Sequence, residues 1–442
     1  MPPLPSSDFD STETSIQALL DPFGRFGVEL GLERIQRLLS RLNHPQNRVP
    51  LVHVAGTNGK GSVCAYLAET LAVAGYRVGR YTSPHLVSWR ERITVNGQLI
   101  AADLLIQRLH EVVMAIDPAQ PSPTQFEVFT AAAWIHFAEE KVDLVVMEVG
   151  LGGRLDATNV VDAPLVSVIT SLSREHWQRL GPTLADIARE KAGVLKPGRP
   201  AVVGPLPPEA TAVVQARLEA LACPVVWPTP AVPLGDGLAR YGSGEDEVTY
   251  RRSLLGEHQL VNAAIAIATL QTLRRQGWAI SNSAIAQGLE QTRWPGRLQW
   301  VTWGSAPNRY PLLLDGAHNP AAALVLRQYV DAWWASQPGP PEGTVWLMGM
   351  LATKDHSDIL TALLRPGDTL HLVPVPGHES ATPESLGAIA RSVCPDLARC
   401  EIHPSLRDGL VALGATPAPL RLLCGSLYLI GHFLLTETDR AE

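Results

Sequence analysis

The stretch Val52-His53-Val54-Ala55-Gly56-Thr57-Asn58-Gly59-Lys60-Gly61-Ser62 constrains the fold more than any other part of the chain. The apolar run Leu51 to Ala55 reads as a buried strand, and three glycines and a lysine follow within six residues. Val63, Leu67, Leu71 and Ala74 then recur at helical spacing. A strand, a glycine loop and a helix in that order can turn backbone N–H groups inward and set the positive end of a helix dipole beneath an anion. Lys60 adds a mobile point charge. The usual phosphate-loop pattern has glycine five residues before the Gly-Lys pair and Ser or Thr directly after the lysine. Here those positions hold Val54 and Gly61, and the hydroxyl of Ser62 comes one step later. Taken alone, the loop is compatible with a phosphate cradle and with a plain glycine turn before a helix.

A chain of 442 residues has room for two or three domains. An apolar content of 46% and a net charge of −7 argue against nucleic acid or an acidic membrane as the main partner. Cys64, Cys223, Cys394, Cys400 and Cys424 are odd in number and show no CxxC spacing, which fits a reducing cytosol. Asp8, Asp10 and Glu13 stand where a secretory leader would carry basic then apolar residues, so no signal peptide is expected. The apolar run Leu422 to Leu435 is too short for a membrane span. A soluble, cytoplasmic protein is expected.

Residues 1 to about 12, rich in Pro, Ser and Asp, are expected to fray. Strands are predicted at 76–81, 143–149, 165–170 and 200–204, and a hairpin at 92–100. Helices are predicted at 102–116, 125–139, 183–195, 208–222 and 258–275, with a small antiparallel appendage within 234–256. Trp294-Pro295-Gly296-Arg297 breaks this series, and a second one follows, with strands at 311–315, 344–349, 368–374, 399–402 and 420–424. Alternation on this scale predicts two successive parallel-sheet α/β domains, 1–298 and 299–442.

Ligands gather at the carboxyl ends of parallel strands. That rule selects Lys60 and Ser62 after the first strand, Ser83 after the second, Glu148 at the end of the third and His176 beyond the fourth. In the second domain it selects Asp315, His318 and Asn319. Glu148, within Val-Val-Met-Glu-Val-Gly-Leu-Gly-Gly, is costly to bury without a cation or strong donors. A metal ligand and a carboxylate that caps a helix or pairs with Arg154 both remain open for it. Oxygen-rich ligation of Mg²⁺ suits Glu148 with Ser62, Ser83 and His176. Lys191 near a helix end reads first as a lysine favoured by the dipole. Asn262, Arg297 and Asp315 are ordinary residues taken singly.

Eight segments change that reading: GTNGKGS (56–62), TSPHL (82–86), TQFE (124–127), EVGLGGRLDATN (148–159), EKAG (190–193), WPGR (294–297), DGAHNP (315–320) and CGSLYL (424–429). In this order they resemble the folylpolyglutamate synthase/dihydrofolate synthase family, a branch of the Mur-ligase superfamily. The match runs from about residue 28 to 430. EVGLGGRLDATN is the segment most particular to the folate branch, whereas GTNGKGS and DGAHNP are shared more widely with Mur ligases. The resemblance implies a P-loop NTPase-like parallel-sheet N-terminal domain with a small β appendage, and a Rossmann-like α/β C-terminal domain. It implies ATP-dependent ligation of L-glutamate to dihydropteroate and to the γ-carboxylate of folates through an acyl phosphate, with ATP between the domains.

Position by position, the resemblance implies ATP contacts from Asn58, Gly59, Lys60, Gly61, Ser62, Asn262, Arg297 and Asp315. It implies ligation of two Mg²⁺ ions by Ser83, Glu148 and His176, and a carbamate formed from CO₂ on Lys191, which displaces the dipole reading of that lysine. Val28, Glu29, Leu30, Thr124, Phe126, Leu155, Asp156 and Ala157 match the pterin pocket of bifunctional members. His318 and Ser426 match positions near the acyl phosphate and the incoming glutamate. Lys60, Lys191 and His318 form the implied catalytic set. A bound K⁺ is also compatible, and a monomer acting on small molecules is expected. Two positions depart from the pattern: Glu29 stands where Asp is common, and Glu175 precedes His176 where Asp is usual. The first bears on the dihydropteroate activity; the second is expected only to re-aim the imidazole. The rival readings are a Mur-type ligase acting on a nucleotide-sugar precursor, disfavoured by the expected lack of a preceding Rossmann domain, and a P-loop ATPase without ligase activity.

Overall fold

The structure, a computed structural model, describes residues 6–24, 31–305, 309–338 and 343–437. The chain divides into two units, Met1–Ser253 with His258–Arg293, and Leu254–Glu257 with Trp294–Glu442.

The first unit is built on strands β1 (Leu51–Ala55), β2 (Val78–Tyr81), β3 (Ile93–Val95), β4 (Gln98–Leu99), β5 (Leu144–Glu148), β6 (Val166–Ile169), β7 (Ala201–Val203) and β8 (Val225–Val226). They form one sheet in the order β4-β3-β2-β5-β1-β6-β7-β8. The pairs from β2 to β8 are parallel, and the β3–β4 hairpin adds antiparallel strands at one edge. Strands β1, β5, β6 and β7 are buried along their whole length, because helices cover both faces of such a sheet and the sequence supplies near-continuous apolar runs, interrupted by His53, Glu148 and Ser167. The predicted strands are found, each one or two residues shorter at an end. The parallel pairing brings the carboxyl ends of β1, β2, β5 and β6 to one edge. Strands β9 (Val232–Gly235), β10 (Leu238–Tyr241) and β11 (Val248–Arg251) form a separate antiparallel sheet, the expected appendage.

Some helices of this unit were not expected, among them the short Trp177–Leu180. The helix Ser6–Leu20 takes in residues 6–12, where fraying was expected, although Ser, Asp and Thr dominate it. Ile16 and Leu20 are fully buried in the core with Leu105, Leu109 and Trp134. Glu13 accepts hydrogen bonds from the Ser88 hydroxyl and the Trp89 N–H. Tertiary packing therefore outweighs the weak local propensity. The helix Asn282–Gln291 packs against Lys60–Val73 so closely that a Cβ on Gly288 would lie 2.4 Å from the Cα of Thr70.

The second unit carries β12 (Gln299–Trp303), β13 (Tyr310–Leu314), β14 (Val345–Met348), β15 (Thr369–Leu372), β16 (Arg399–Ile402) and β17 (Arg421–Cys424). Their order is β12-β13-β17-β14-β15-β16, parallel except for the edge pair β12–β13. Strand β12 was not anticipated, because Gln299-Trp300-Val301-Thr302-Trp303 is only half-buried and lacks a continuous apolar run. Among the described residues no helix is long and apolar enough to cross a membrane.

Candidate active site

The glycine loop follows β1 and enters the helix Lys60–Val73. Two of its glycines are required by close approach. Gly56 has φ +147°, and a Cβ there would lie 2.0 Å from Thr170 Oγ1. Gly59 is left-handed at φ +85°, and a Cβ would lie 2.4 Å from Asn262 Oδ1. The loop is latched to the segment after β6. The Thr57 N–H donates to the Ser171 carbonyl at 2.7 Å, and the Ser173 N–H donates to Thr57 Oγ1 at 3.1 Å. Thr170 and Ser171 hydroxyls donate to the Asn58 carbonyl at 2.7 and 3.0 Å. The Asn58 N–H donates to Ser171 Oγ at 3.2 Å, and the helix begins at Lys60, where the N–H groups of a first turn lack partners within the helix. On the other side Asn262 Nδ2 donates to Gln259 Oε1 at 2.9 Å, and Gln259 Nε2 donates to Ser62 Oγ at 3.3 Å. Asn262 thus sits beneath the loop as a buttress.

Three charged groups converge where this loop meets the ends of β2 and β5. Lys60 Nζ donates to the Thr57 carbonyl at 3.0 Å and lies 3.9 Å from Glu148 Oε1. Glu148 is buried, and its Oε2 accepts the Ser83 N–H at 3.2 Å. Its partner is therefore not Arg154, which pairs with Glu190 at 2.8 Å. Lys191 ends the helix Leu184–Lys191, is only 4% exposed, and donates from Nζ to the Gly56 carbonyl at 2.7 Å. It is a buried amine under the glycine loop, in the last turn of its helix. Burial pushes its ammonium down to about 7; the like charge of Lys60 adds to this, while Glu175 and Asp156 oppose it. The Glu175 carboxylate therefore acts on Lys191 as well as adjoining His176. His176 heads the short helix Trp177–Leu180 in a left-handed conformation, φ 51°.

The segment 148–159 is held by a second network. Asp156 Oδ2 accepts the Leu151 N–H at 2.8 Å, and its Oδ1 accepts the Thr158 hydroxyl at 2.6 Å and the Thr158 N–H at 3.0 Å. Burial raises the Asp156 carboxyl and these hydrogen bonds oppose the rise. Thr158 Oγ1 also contacts His53 Nε2 at 2.8 Å, and burial holds that imidazole at about 3, hence neutral. His53, Thr170, Ser171 and Gln259 were missed by sequence reasoning, since each acts through a partner distant in the chain. Ala157 is buried, and the Phe126 ring stands where a Cβ on Gly150 would meet it at 2.5 Å. Thr124 caps the helix Gln125–Glu139 in a reciprocal box with Glu127, which pairs with Arg34 at 3.1 Å. Leu155 is half-buried beside them in sequence. Val28, Glu29 and Leu30 lie outside the described residues.

In the second unit, Asp315 follows β13 and is buried, with Oδ2 accepting the Leu298 N–H and Oδ1 the Ala317 N–H, both at 2.9 Å. Burial raises its carboxyl; the Arg297 guanidinium opposes that rise. His318 Nδ1 lies 2.7 Å from the Gly316 carbonyl, which sets the direction of its ring. Asn319 caps the helix Pro320–Ala335, and Ser426 caps Leu427–Thr436. Asp315 and Ser426 therefore each already have a local structural task.

A family model described as "Dihydrofolate synthetase, C-terminal domain" matches residues 299–436. The chain is 42% identical over 312 residues to the dihydrofolate synthase/folylpolyglutamate synthase of Bacillus subtilis, covering 67% of this chain and 70% of that one. It is 33% identical over 432 residues to the folylpolyglutamate synthase of Lacticaseibacillus casei, covering 94% and 96%. Its fold is similar to that of Escherichia coli FolC in complex with DHPP and ADP, with a TM-score of 0.77, 30% identity, and 96% of each chain covered.

Proposed function

Because the chain belongs to the dihydrofolate synthase/folylpolyglutamate synthase family, we infer that it is an ATP-dependent ligase that joins L-glutamate to folates. The observation that carries this most directly is the convergence of Lys60, Glu148 and Lys191 on one glycine loop at the carboxyl edge of a parallel sheet. An amide does not form from a carboxylate in water unless the carboxylate is first activated. In the proposed reaction an oxygen of the pteroate or folyl γ-carboxylate attacks the γ-phosphorus of ATP, and ADP leaves. The deprotonated amine of glutamate then attacks the acyl carbon, phosphate departs, and the nitrogen gives up its remaining extra proton.

The first-turn N–H groups and Lys60 are assigned to the ATP phosphates, with Asn58, Gly59, Gly61 and Ser62 forming the rest of the cradle. Asn262, Arg297 and Asp315 are assigned to the nucleotide. The donor set also fits Mg²⁺: Glu148 offers a buried carboxylate 3.9 Å from Lys60 Nζ, and Ser62, Ser83 and His176 add hydroxyl and imidazole donors. When bound, two Mg²⁺ ions would neutralise charge on the transferring phosphoryl group. Preorganisation falls to the chain itself, since the latch through Ser171 and the buttress through Asn262 hold the loop in place before ligand arrives.

Lys191 is assigned to carbamate formation. With its pKa near 7, much of the amine is neutral at physiological pH and able to attack CO₂, giving a carbamate and releasing a proton. The change from cation to anion replaces repulsion with attraction toward Lys60. His318 and Ser426 are assigned to the acyl phosphate and glutamate, and Thr124, Phe126, Leu155, Asp156 and Ala157, with 28–30, to the pterin. Both activities, on dihydropteroate and on folyl tails, are proposed for the one site, in a monomer of the cytoplasm. Purified chain given ATP, glutamate and either dihydropteroate or a reduced folate should yield products heavier by one glutamyl residue. ADP release without any such product would leave an ATPase and defeat the assignment.

A further inference from the structure

Strands β15 and β16 lie side by side at the edge of the second sheet, and His371 is in register with Glu401. Side chains two residues apart on a strand share a face, so Arg399, Glu401 and His403 project on the same side as His371. There His371 Nδ1 approaches His403 Nε2 at 2.9 Å and Glu401 Oε2 at 3.5 Å. One nitrogen from each histidine and one carboxylate oxygen all lie within 4.8 Å of one another. The His403 N–H donates to the Leu372 carbonyl at 2.9 Å, which fixes the end of β16 beside β15. The other nitrogen of His371, Nε2, lies 3.4 Å from Thr416 Oγ1, and that hydroxyl donates to the Ala412 carbonyl at 3.0 Å. A His371 ring that donates from Nε2 turns the Nδ1 lone pair toward His403 and Glu401.

We propose that His371, Glu401 and His403 form a binding site for a Zn²⁺-type divalent cation, with water as the fourth ligand. Tetrahedral zinc with bonds of about 2.0–2.1 Å sets its ligand atoms about 3.4 Å apart. The 3.5 Å pair already has that separation, and the 2.9 Å imidazole pair reaches it by opening a few tenths of an ångström. Two imidazoles and one carboxylate select a late first-row ion over Mg²⁺ or Ca²⁺, which prefer oxygen throughout. Glu401, with 44% of its side chain exposed, leaves the water position open to solvent. Arg399 lies 4.0 Å from the opposite carboxylate oxygen, Oε1, and competes for that oxygen rather than for Oε2. A bound ion would tie the edge strand to its neighbour through ligands from both.

The test uses the full-length, tag-free chain, stripped with chelator and kept in excess Mg²⁺ so that hard-oxygen sites are filled. Titration with Co²⁺ should give the strong visible bands of tetrahedral coordination at one ion per chain, and calorimetry with Zn²⁺ the same stoichiometry. His403→Ala should weaken Zn²⁺ binding by about 100-fold and remove the bands, and Glu401→Gln should weaken it by about 10-fold. Both variants should keep the unfolding midpoint of the metal-free native chain, and at a fixed Zn²⁺ concentration the midpoint should rise most for the native chain, less for Glu401→Gln and least for His403→Ala. Native chain without saturable tetrahedral Co²⁺ uptake, or variants that bind as it does, would overturn the assignment.

Discussion

Replacing Gly59 with alanine tests whether the loop is shaped by its buttress. The residue sits at φ +85°, where a side chain costs about 1–2 kcal/mol. The new methyl would also lie 2.4 Å from Asn262 Oδ1, far inside contact distance. Asn262 is 6% exposed, so its amide has little room to retreat without losing the 2.9 Å hydrogen bond to Gln259. Breaking that bond inside the fold costs about 1–3 kcal/mol. The combined penalty is about 2–5 kcal/mol, enough to lower the unfolding midpoint but less than a typical domain stability. If the loop yields instead of Asn262, the loss appears in ATP affinity. Thermal unfolding and nucleotide titration together capture both routes. A second change, Asn262→Ala, removes the colliding oxygen and leaves only the backbone cost. The double variant should therefore recover about 1–3 kcal/mol relative to the sum of the single changes. Strict additivity, or a Gly59→Ala chain that melts and binds ATP as the native one does, would refute the buttress.

Other outcomes are expected. Lys60→Ala should abolish turnover with every folate substrate in a product-mass assay, and retained ligation would contradict the cradle. Lys191→Ala should lose activity and regain part of it with short carboxylic acids standing in for the carbamate; a fully active variant would remove Lys191 from the site. Lys191 also predicts a pH dependence of stability. Its proton is held in the unfolded chain up to about 10.5 but released in the folded chain above about 7. Between those values the unfolded state binds more protons, so this lysine's contribution to stability rises with pH, by at most about 1.4 kcal/mol per unit, and is flat below the window. Unfolding measured between about pH 7 and 9 in CO₂-free buffer should show a shallower slope for Lys191→Met than for the native chain.

The parts of the fold that read directly from sequence are those with a local cause. The strands β1, β5 and β6 are runs of apolar residues because both their faces are covered. Glu148 stood out as a carboxylate in such a run, and it does face Lys60. Burial alone is a poorer guide: Asp368 is as deeply buried, yet it is satisfied by the N–H groups of Thr344 and Arg365, the Trp346 indole and Arg327, and serves the core. The helix Ser6–Leu20 was illegible because its stability comes from Ile16 and Leu20 entering a core assembled from distant segments. The latch through Ser171 and the buttress through Asn262 were illegible for the same reason, as pairings over more than a hundred residues leave no local pattern. Lys191 read both as a helix-end lysine and, by resemblance, as a reactive one; the structure sets it in the last turn of its helix with Nζ on the Gly56 carbonyl.

The loop after β5 and the end of the helix Leu184–Lys191 touch backbone to backbone. The Arg154 N–H meets the Glu190 carbonyl at 2.7 Å, and the Asn159 amide spans the Arg154 and Gly193 carbonyls at 3.0 and 3.1 Å. A Cβ on Gly153 would strike the Glu190 carbonyl oxygen at 2.9 Å, and one on Gly193 would strike Arg154 at 2.3 Å. Neither stretch can therefore drift alone over evolutionary time, and across related chains the two should mutate in concert or stay fixed. Engineering a new specificity into the first of them would begin by redesigning the second.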